Sequence, residues 1–310
     1  MTSSPRGSPT NGESSSATLS HEAVLTWYAS AARDLPWRAG DASPWAVMVS
    51  EVMLQQTPVS RVLPVWTMWM ARWPTASSLA NEPPAEAVRA WGKLGYPRRA
   101  LRLHAAARRI YTEFNGAVPS SIEDLQSLPG IGAYTARAIA AFAFDVRTPV
   151  VDTNVARVLA RAVLGRAHAG PTVTTAHRSS VEGLLPSDPA HAAKFSIAMM
   201  ELGALVCTAR SPRCDVCPVR HDCAWRLAGS PAYTGPSRRS QRFEGTDRQV
   251  RGLLLDVLRG TTEPVDIGTL EPVWPDPGQR ARALDSLLAD GLVGRLEDGL
   301  FVLAGEDGPS

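Results

Sequence analysis

Four cysteines stand within a seventeen-residue segment, and they are the only cysteines in the chain. They are Cys207, Cys214, Cys217 and Cys223, spaced C-x6-C-x2-C-x5-C in a short basic stretch. A disulfide pair is disfavoured in a reducing cytosol, whereas four thiolates this close can share a tetrahedral zinc ion or an iron–sulfur cluster. Zinc modules usually present two C-x2-4-C pairs and this segment has one, so the spacing favours a cluster over zinc and over four unrelated core cysteines.

Two carboxylates lie in surroundings that are unusual for charged residues. Glu51 is the only charge in the apolar segment WAVMVSEVML, residues 45–54, which the periodicity predicts to be a buried helix. Burial raises the pKa of a carboxyl, so Glu51 could deliver a proton as a general acid, and pairing with a nearby arginine is the alternative. Asp152 opens the stretch DTNVARVL, where it or Asn154 is expected to cap a helix N-terminus, a role that is compatible with a fixed negative charge in catalysis.

A glycine-rich turn, LPGIG at residues 128–132, joins two predicted helices. The first opens with a capping box at Ser121 and ends before Pro129. Gly130 and Gly132 flank a hydrophobic residue at the N-terminus of the second helix, which leaves backbone N–H groups open to a phosphate. The pattern predicts a helix–hairpin–helix motif that binds DNA without reading its sequence, and an ordinary αα-corner is the alternative.

Helical periods separated by proline and glycine run from about residue 19 to residue 229, which predicts a mostly α core. Fourteen of the first twenty residues are Ser, Thr, Pro or Gly, so a disordered tail is expected over 1–18. A Pro/Ser/Arg-rich stretch indicates a linker over 229–243. Beyond the linker, the predicted elements resemble a winged helix in topology: helices at 247–259, near 266 and at 279–290, then a hairpin over 292–303 that turns at Asp298-Gly299.

Composition and charge narrow the functional classes. The 310 residues contain no apolar run of 18, and no basic segment precedes an apolar stretch at the N-terminus, so a cytoplasmic protein is expected. Net charge is only +2, but residues 86–113 and 205–242 each carry seven basic side chains against two acidic ones. Such patches suit a phosphate backbone, and solvated surface is the alternative. Lys93 and Lys194 are the only lysines.

Several segments together resemble one family, the helix–hairpin–helix DNA glycosylases, and within it the MutY-type adenine DNA glycosylases. They keep the family's order and spacing across about 210 residues. The matching segments are LPWR (35–38), SEVMLQQT (50–57), LGY (94–96), LPGIGAYTARAI (128–139), VDTNVARVLAR (151–161), MELGALVC (200–207) and the cysteine segment through Cys223.

The resemblance implies a mostly α fold, in which a six-helix barrel with the helix–hairpin–helix motif spans 37–147. An iron–sulfur cluster domain would combine 19–36 with 148–228, and a winged-helix-like module would follow at 244–305. The cysteine spacing is the one that this family uses for a 4Fe–4S cluster. The implied partner is double-stranded DNA with adenine mispaired with 8-oxoguanine or guanine, bound by a monomer in the bacterial cytoplasm, at the nucleoid.

Carried over by position, the resemblance makes Glu51 the acid that protonates adenine N7. Asp152 becomes the carboxylate that stabilises or captures the oxocarbenium-like sugar, and Tyr134 and Asn154 assist. Gly130 and Gly132 would contact DNA phosphates, and the four cysteines would bind the cluster. The expected substrate-contacting residues are Arg33, Leu35, Trp37 and Glu201 around the extruded adenine, the wedge residues Gln56 and Tyr96, and the adjacent Thr57 and Leu94.

The chain has only two lysines, and this bears on whether it could cut the DNA backbone as well as remove a base. Members of the superfamily that also cut the DNA backbone, such as endonuclease III, form a Schiff base from a lysine in the hairpin segment, and Tyr134 stands at that position here. The resemblance therefore implies base excision without efficient β-elimination.

The chain departs from the family at two places. Pro97 follows LGY where the family usually has a tyrosine. Only 82 residues follow Ala228, and they are predicted to be helical with a wing, whereas relatives carry a β-rich Nudix-like domain that helps to read 8-oxoguanine. No Phe-Ser-His segment of the kind used there is present, so the resemblance leaves the discrimination of 8-oxoguanine from guanine open.

Two other functions remain open at this point. One is a glycosylase of the same fold acting on thymine or uracil, against which Glu51 argues because a pyrimidine has no N7 to protonate. The other is a non-enzymatic, DNA-binding iron–sulfur regulator that uses the winged-helix-like module for base contacts.

Overall fold

A computed structural model describes residues 19–235 and 243–306. The predicted tail at 1–18 and residues 236–242 of the predicted linker lie outside the described residues. The described chain divides into two compact units. The smaller unit comprises residues 19–32, 151–187 and 194–235, and the larger comprises residues 33–150, 188–193 and 243–306.

Helices dominate both units, which confirms the mostly α prediction. No helix of the described segments is long and apolar enough to cross a membrane. The helices are α1 (His21–Ala31), α2 (Pro44–Leu54), α3 (Val59–Arg72), α4 (Ala76–Ala80), α5 (Pro84–Trp91), α6 (Arg98–Glu113), α7 (Ile122–Ser127), α8 (Ala133–Phe144), α9 (Thr153–Val158), α10 (Thr175–Leu184), α11 (Pro189–Leu205), α12 (Ala224–Leu227), α13 (Asp247–Arg259), α14 (Ile267–Leu270) and α15 (Pro277–Ala289).

Helix α2 is the central helix of the larger unit, and every residue from Trp45 to Met53 is buried. Its start is fixed locally, because the Ser43 hydroxyl accepts the N–H of Ala46 and Pro44 occupies the first turn. A helix that is apolar on every face is stable only when it is surrounded, and α3, α6 and α8 all pack against α2.

Tryptophans form a layer beneath α2. Trp69 meets Trp73 and Trp91 edge to face, with ring centres 4.9 and 5.7 Å apart. The indole N–H group of each of these three tryptophans donates to an oxygen atom of the protein, and so do those of Trp45 and Trp66. Trp66 Nε1, for example, donates to Ala46 O at 3.0 Å. These large, rigid rings are closely packed and their N–H groups are hydrogen-bonded, so they fix the position of α2 in the core.

In the smaller unit, α9 follows a short extended stretch and continues into a π-helical turn, Leu159–Val163. The cysteine segment follows α11, with a short 3-10 turn at Cys214–Val216, and ends in α12. The π-helical turn packs against both α10 and α12, so the region around the cysteines is built on one irregular helix.

The C-terminal module has the predicted order of helices followed by a two-stranded wing. Strands β1 (Val293–Arg295) and β2 (Phe301–Leu303) pair antiparallel, with Gly294 opposite Val302. Helices α13 and α15 pack against each other, and the module packs on α5 within the same unit, because Arg89 donates to Thr261 O (2.6 Å) and Arg259 donates to Val88 O (3.0 Å).

Candidate active site

Glu51 lies in the last turns of α2 and is only 7% exposed. One turn later, Gln55 Nε2 donates to Thr135 Oγ1 at 3.1 Å, which ties the end of α2 to the start of α8. Tyr134, half-buried, precedes Thr135 on α8. The structure therefore brings the helix of the predicted general acid against the helix that carries the predicted assisting tyrosine.

The two predicted wedge residues have a backbone conformation that L-amino acids rarely adopt. Gln56 has φ +56° and Tyr96 has φ +49°, and both side chains are exposed. Their predicted neighbours Thr57 and Leu94 are buried instead, and Thr57 Oγ1 donates to Leu94 O at 3.4 Å. Thr57 and Leu94 thus hold together the two loops that project Gln56 and Tyr96.

Arg99 is the connection between these loops. It is buried, and its guanidinium donates to oxygen atoms of α2 and of both loops: Val52 O (2.9 Å), Met53 O (3.0 Å), Gln55 O (2.6 Å), Thr57 Oγ1 (2.9 Å) and Gly95 O (3.0 Å). Burial lowers the pKa of Arg99 to about 10, which still leaves it charged at neutral pH. A cation at a helix C-terminus satisfies carbonyl groups that have no partner within the helix.

The basic patch at 86–113 therefore differs from the sequence-based interpretation. Arg99 lies inside the protein, and Arg89 contacts Glu306 of the C-terminal module at 2.5 Å. Neither arginine belongs to a surface for phosphates. Position along the chain could not separate Arg99 from the exposed Arg98, Arg102 and Arg108 of α6, or Arg89 of α5 from these exposed arginines.

Three residues predicted to contact the extruded base lie before α2. Leu35 and Trp37 are buried, and Trp37 packs edge to face on Trp66 with ring centres 5.4 Å apart. Arg33 is half-buried. The fourth predicted contact, Glu201, is a fully buried carboxyl on α11 of the smaller unit.

The predicted hairpin is present between α7 and α8, and Ser121 caps α7 as expected. Gly130 has φ +81°, and a Cβ there would lie 2.8 Å from Arg102 Cβ. Gly132 caps α8 and would have open space around a Cβ. Ile131 is buried between them, so the backbone around Gly132 is exposed while the turn is anchored in the core.

Asp152 is the N-cap of α9. Its Oδ1 accepts the Val155 N–H at 2.7 Å, and its Oδ2 accepts Asn154 Nδ2 at 2.8 Å. Burial raises the pKa of Asp152 more than these hydrogen bonds and the charge of Arg157 lower it. The carboxylate is thus held in one orientation by two donors in a poorly solvated place.

Arg157 extends this arrangement to the first cysteine. Its Nη2 donates to Asn154 Oδ1 and to Gly203 O, both at 2.7 Å, and its Nε donates to Cys207 O at 2.7 Å. Burial is the main cause that lowers the pKa of Arg157. One guanidinium therefore links the residue beside Asp152 to the start of the cysteine segment.

Gly203 on α11 lies directly against the capping turn of Asp152 and Asn154, and the sequence alone did not single it out. A Cβ there would lie 2.7 Å from Asn154 Cβ and 2.8 Å from Asn154 O. Only glycine lets α11 approach the capping turn of Asp152 and Asn154 this closely. The residue lies within the MELGALVC segment, but its role depends on a neighbour some fifty positions away.

We expect Gly203→Ala to lower the free energy of unfolding by about 1–3 kcal/mol, because the methyl group meets backbone that cannot rotate away. If Asp152 has the role that the family resemblance implies, the rate of base excision should fall as well, since Asn154 donates to its carboxylate. The matched control is Gly183→Ala on α10, where a Cβ meets nothing within 4 Å. Thermal unfolding and single-turnover kinetics check both variants, and equal behaviour would contradict the role of the close approach.

All four cysteines are free thiols, and their side chains line one small cavity of the smaller unit. Burial raises the pKa of the Cys217 thiol to about 11 and also raises that of Cys207. Within residues 19–235 and 243–306, no set of three or more His, Cys, Asp or Glu side chains is arranged around a point for a single metal ion. Four thiols around one cavity fit a polynuclear cluster, in which each thiolate binds a different iron.

Arg161, in the π-helical turn, donates hydrogen bonds to carbonyl groups of the cysteine segment. It is buried, and it donates to Thr208 O (2.7 Å), Ala209 O (3.1 Å) and Ala167 O (3.1 Å). Its Nη1 also lies 3.5 Å from Cys207 Sγ, as expected of a cation beside a thiolate ligand. Arg210, Arg213 and Arg220, which belong to the basic patch that the sequence shows at residues 205–242, are exposed on the same segment.

Comparisons with known proteins agree with this architecture. A family model described as the HhH-GPD superfamily base excision DNA repair protein matches residues 49–181. A second model, the iron–sulfur binding domain of endonuclease III, matches residues 207–223, which begin and end at cysteines. The chain is similar in structure to a thermostable thymine-DNA glycosylase, with a TM-score of 0.61 and 25% identity over 67% of this chain and 95% of that one. An endonuclease III in a trapped DNA complex has the same fold, with a TM-score of 0.58 and 23% identity over 68% of this chain and 95% of that one.

The fold, the hairpin and the cysteine segment thus define a helix–hairpin–helix base excision repair protein with a 4Fe–4S cofactor. The chain is 60% identical to the adenine DNA glycosylase of Mycolicibacterium smegmatis over 91% of its length and 95% of that protein. It is 56% identical to that of Mycobacterium tuberculosis, over 93% and 94% of the two chains, and 45% identical to the human protein over 66% and 38%. The chain therefore belongs to the adenine DNA glycosylases.

Proposed function

We propose that this adenine DNA glycosylase removes adenine paired with 8-oxoguanine or guanine in duplex DNA, by hydrolysing the N-glycosidic bond of an extruded nucleotide. The observation that carries the proposal is Glu51, a 7% exposed carboxyl on a helix whose residues 45–53 are all buried. Burial disfavours the charged form of a carboxyl, so a carboxyl in such surroundings suits the delivery of a proton.

Adenine is a poor leaving group as an anion and a good one once N7 is protonated. Glu51 would supply that proton, so that the base departs neutral. As the bond to C1′ stretches, positive charge develops on the sugar, and the ionised Asp152 would oppose that charge or capture it. The Val155 N–H and the Asn154 amide hold the carboxylate in one orientation, so no rearrangement is needed when the charge appears.

The other predicted site residues have supporting roles. Tyr134 and Asn154 would assist the two carboxylates, and Arg33, Leu35, Trp37 and Glu201 would surround the extruded adenine. Gln56 and Tyr96 would fill the stack that the base leaves. The exposed backbone at Gly132, next to the turn at Gly130, would bind a DNA phosphate at the N-terminus of α8.

Cys207, Cys214, Cys217 and Cys223 would hold the 4Fe–4S cluster, which supplies a rigid cross-link for the cysteine segment. Arg157 and Arg161 position that segment through its carbonyl groups. The exposed Arg210, Arg213 and Arg220 would then face DNA phosphates. We further propose that the protein acts as a monomer in the bacterial cytoplasm.

The experiment that tests the proposal measures single-turnover excision on duplexes with A:8-oxoguanine, A:G, A:C and T:G pairs, each with and without alkali. We expect the first two to react fastest and T:G not to react. Strand breaks should need alkali, because Tyr134 offers no amine for a Schiff base. Breaks of equal yield without alkali, or rapid release of thymine, would contradict the proposal.

The wedge role yields a separate prediction. Gln56→Gly relieves a left-handed backbone and removes the side chain, so the free energy of unfolding should change by less than about 1 kcal/mol while excision slows about tenfold or more. Asn115→Gly is the matched control, since Asn115 is exposed with φ +52° and lies in another turn. Thermal melting and single-turnover rates measure both effects, and normal excision by Gln56→Gly would disprove the role.

A further inference from the structure

The larger unit contains a groove of about 1040 Å³ between the wedge loops and the C-terminal module. Gln56, Tyr96 and the first turns of α6 form one wall, and the solvent-facing side of α13 forms the other. Neither the cysteine segment nor Glu51 lines it. The groove is thus a surface of its own that adjoins the proposed wedge.

Positive charge dominates this groove. Besides the inward-facing Arg99, seven arginine and lysine side chains line it, against two carboxylates, Asp256 and Asp290. Each carboxylate is already shared by two cations: Asp290 contacts Arg98 at 3.1 Å and Arg251 at 2.5 Å, and Asp256 contacts Arg259 at 3.2 Å and Lys93 at 3.4 Å. With Arg99 left out, seven cations against two carboxylates leave an excess of five positive charges.

Apart from the buried Arg99, three of the cations have no carboxylate partner among the residues that the structure describes. They are Arg61 and Arg102 on one wall and Arg248 on the other, and all three are exposed. Like charges gathered across a groove repel one another, and this arrangement is stabilised when a polyanion occupies the space.

Helix α13, which forms the second wall of the groove, has an exposed face that another molecule can approach closely. One face of α13, with Val250, Leu254 and Leu258, is buried in the module. On the face that lines the groove, Gly252 is exposed, and a Cβ there would meet nothing within 4 Å. Glycine weakens a helix interior, and no packing of the described residues requires it here. The missing side chain leaves room for the backbone of a ligand to lie close to the helix.

We propose that this groove binds the phosphodiester backbone of the DNA duplex, and that α13 makes the C-terminal module a second DNA-contacting element beside the wedge loops. Exposed apolar surface in the groove, at Tyr96 (50% exposed), Phe243 (54%) and Leu253 (37%), suits the sugar edges between phosphates. The groove is far larger than a single phosphate or nucleotide needs. The inference rests on the proposed function only in taking duplex DNA as the substrate.

The test uses the full chain with its cluster and compares Arg248→Glu with Arg295→Glu. The two arginines are matched: both are exposed, both belong to the C-terminal module, and each guanidinium lies over a phenylalanine ring, at 5.7 Å from Phe243 and 5.8 Å from Phe301. Only Arg248 lines the groove. Fluorescence anisotropy with an undamaged duplex, over a series of salt concentrations, gives the affinity and its salt dependence.

We expect Arg248→Glu to weaken duplex binding about tenfold at low salt and to reduce the slope of log K against log salt by about one. Arg295→Glu should change neither by more than about twofold. Equal effects of the two variants, or none, would overturn the proposal. So would binding of a poly-glutamate peptide that depends on Arg248 while duplex binding does not.

The outcome is separable from the proposed function. Undamaged duplex carries no mispaired adenine, so its binding does not depend on Glu51 or on excision. Suppose that the wild-type protein released no adenine but that Arg248→Glu lost duplex affinity. The proposed DNA-binding role of the groove would then be supported, and the proposed excision chemistry would be wrong. Normal duplex affinity in Arg248→Glu, with normal excision by the wild-type protein, would reject the groove alone.

Discussion

Glu51→Gln is expected to slow single-turnover excision of adenine opposite 8-oxoguanine by about 10³-fold or more, while affinity for the same duplex stays within about threefold. The amide has nearly the shape of the acid but no proton to give to N7. Because Glu51 is buried, the base would then have to leave as an anion or take its proton from solvent that the site excludes.

Ser50→Ala is the matched control for this variant. Ser50 lies beside Glu51, is fully buried, and donates from Oγ to Val47 O at 2.7 Å within α2. The change disturbs the packing of the same helix without touching the carboxyl, so excision should remain within about threefold of the wild-type rate. If both variants lost activity equally, the effect of Glu51→Gln would be structural. If Glu51→Gln excised adenine normally, the proposed general acid would be wrong.

Asp152→Asn is expected to lower the excision rate by about 10²–10³-fold, because the negative charge that opposes the sugar cation is lost. The fold should survive, since asparagine is as good an N-cap as aspartate and its Oδ1 can still accept the Val155 N–H. The control is Asp276→Asn, which makes the same change at the N-cap of α15, where Gln279 N donates at 3.0 Å. Excision rates and thermal melting of the two variants separate loss of charge from loss of the cap.

The pH dependence follows from the raised pKa of Asp152. In the proposed mechanism the ionised form is the active one, so this contribution to the excision rate should fall as pH decreases through a value above the ordinary aspartate pKa. The contribution of Asp152 to the free energy of unfolding has the opposite pH dependence and decreases as pH rises. Burial favours the protonated form in the folded state, so the stability that protonation contributes is present at low pH and is lost as pH rises through the folded-state pKa. Wild type and Asp152→Asn, compared across this range, should therefore converge in activity at low pH and diverge above it.

Much of the architecture was predictable because local signals decide it. The apolar run around Glu51, the serine cap before Asp124 and the Asp-Gly turn of the C-terminal hairpin each specify an element within a few residues. The predicted helix 247–259 coincides with α13, and Asp152, one of two candidate caps, is the cap of α9.

Contacts between distant segments could not be predicted in the same way. Arg99 counted toward a basic patch, but it is buried beneath carbonyl groups that come from residues more than forty positions earlier. Gly203 matters only because Asn154 lies against it. The charged groove depends on where α13 packs relative to α6, and hydrophobic periodicity alone does not specify that packing.

The most direct test of the central claim compares adenine with 7-deazaadenine opposite 8-oxoguanine, each with wild-type protein and with Glu51→Gln, in single-turnover excision. If Glu51 protonates N7, then removing the acid or the nitrogen should each slow excision by about 10³-fold, and removing both should cost little more, because the two groups form one interaction. Losses that multiply, or normal release of 7-deazaadenine by the wild-type protein, would show that the proton from Glu51 does not go to N7.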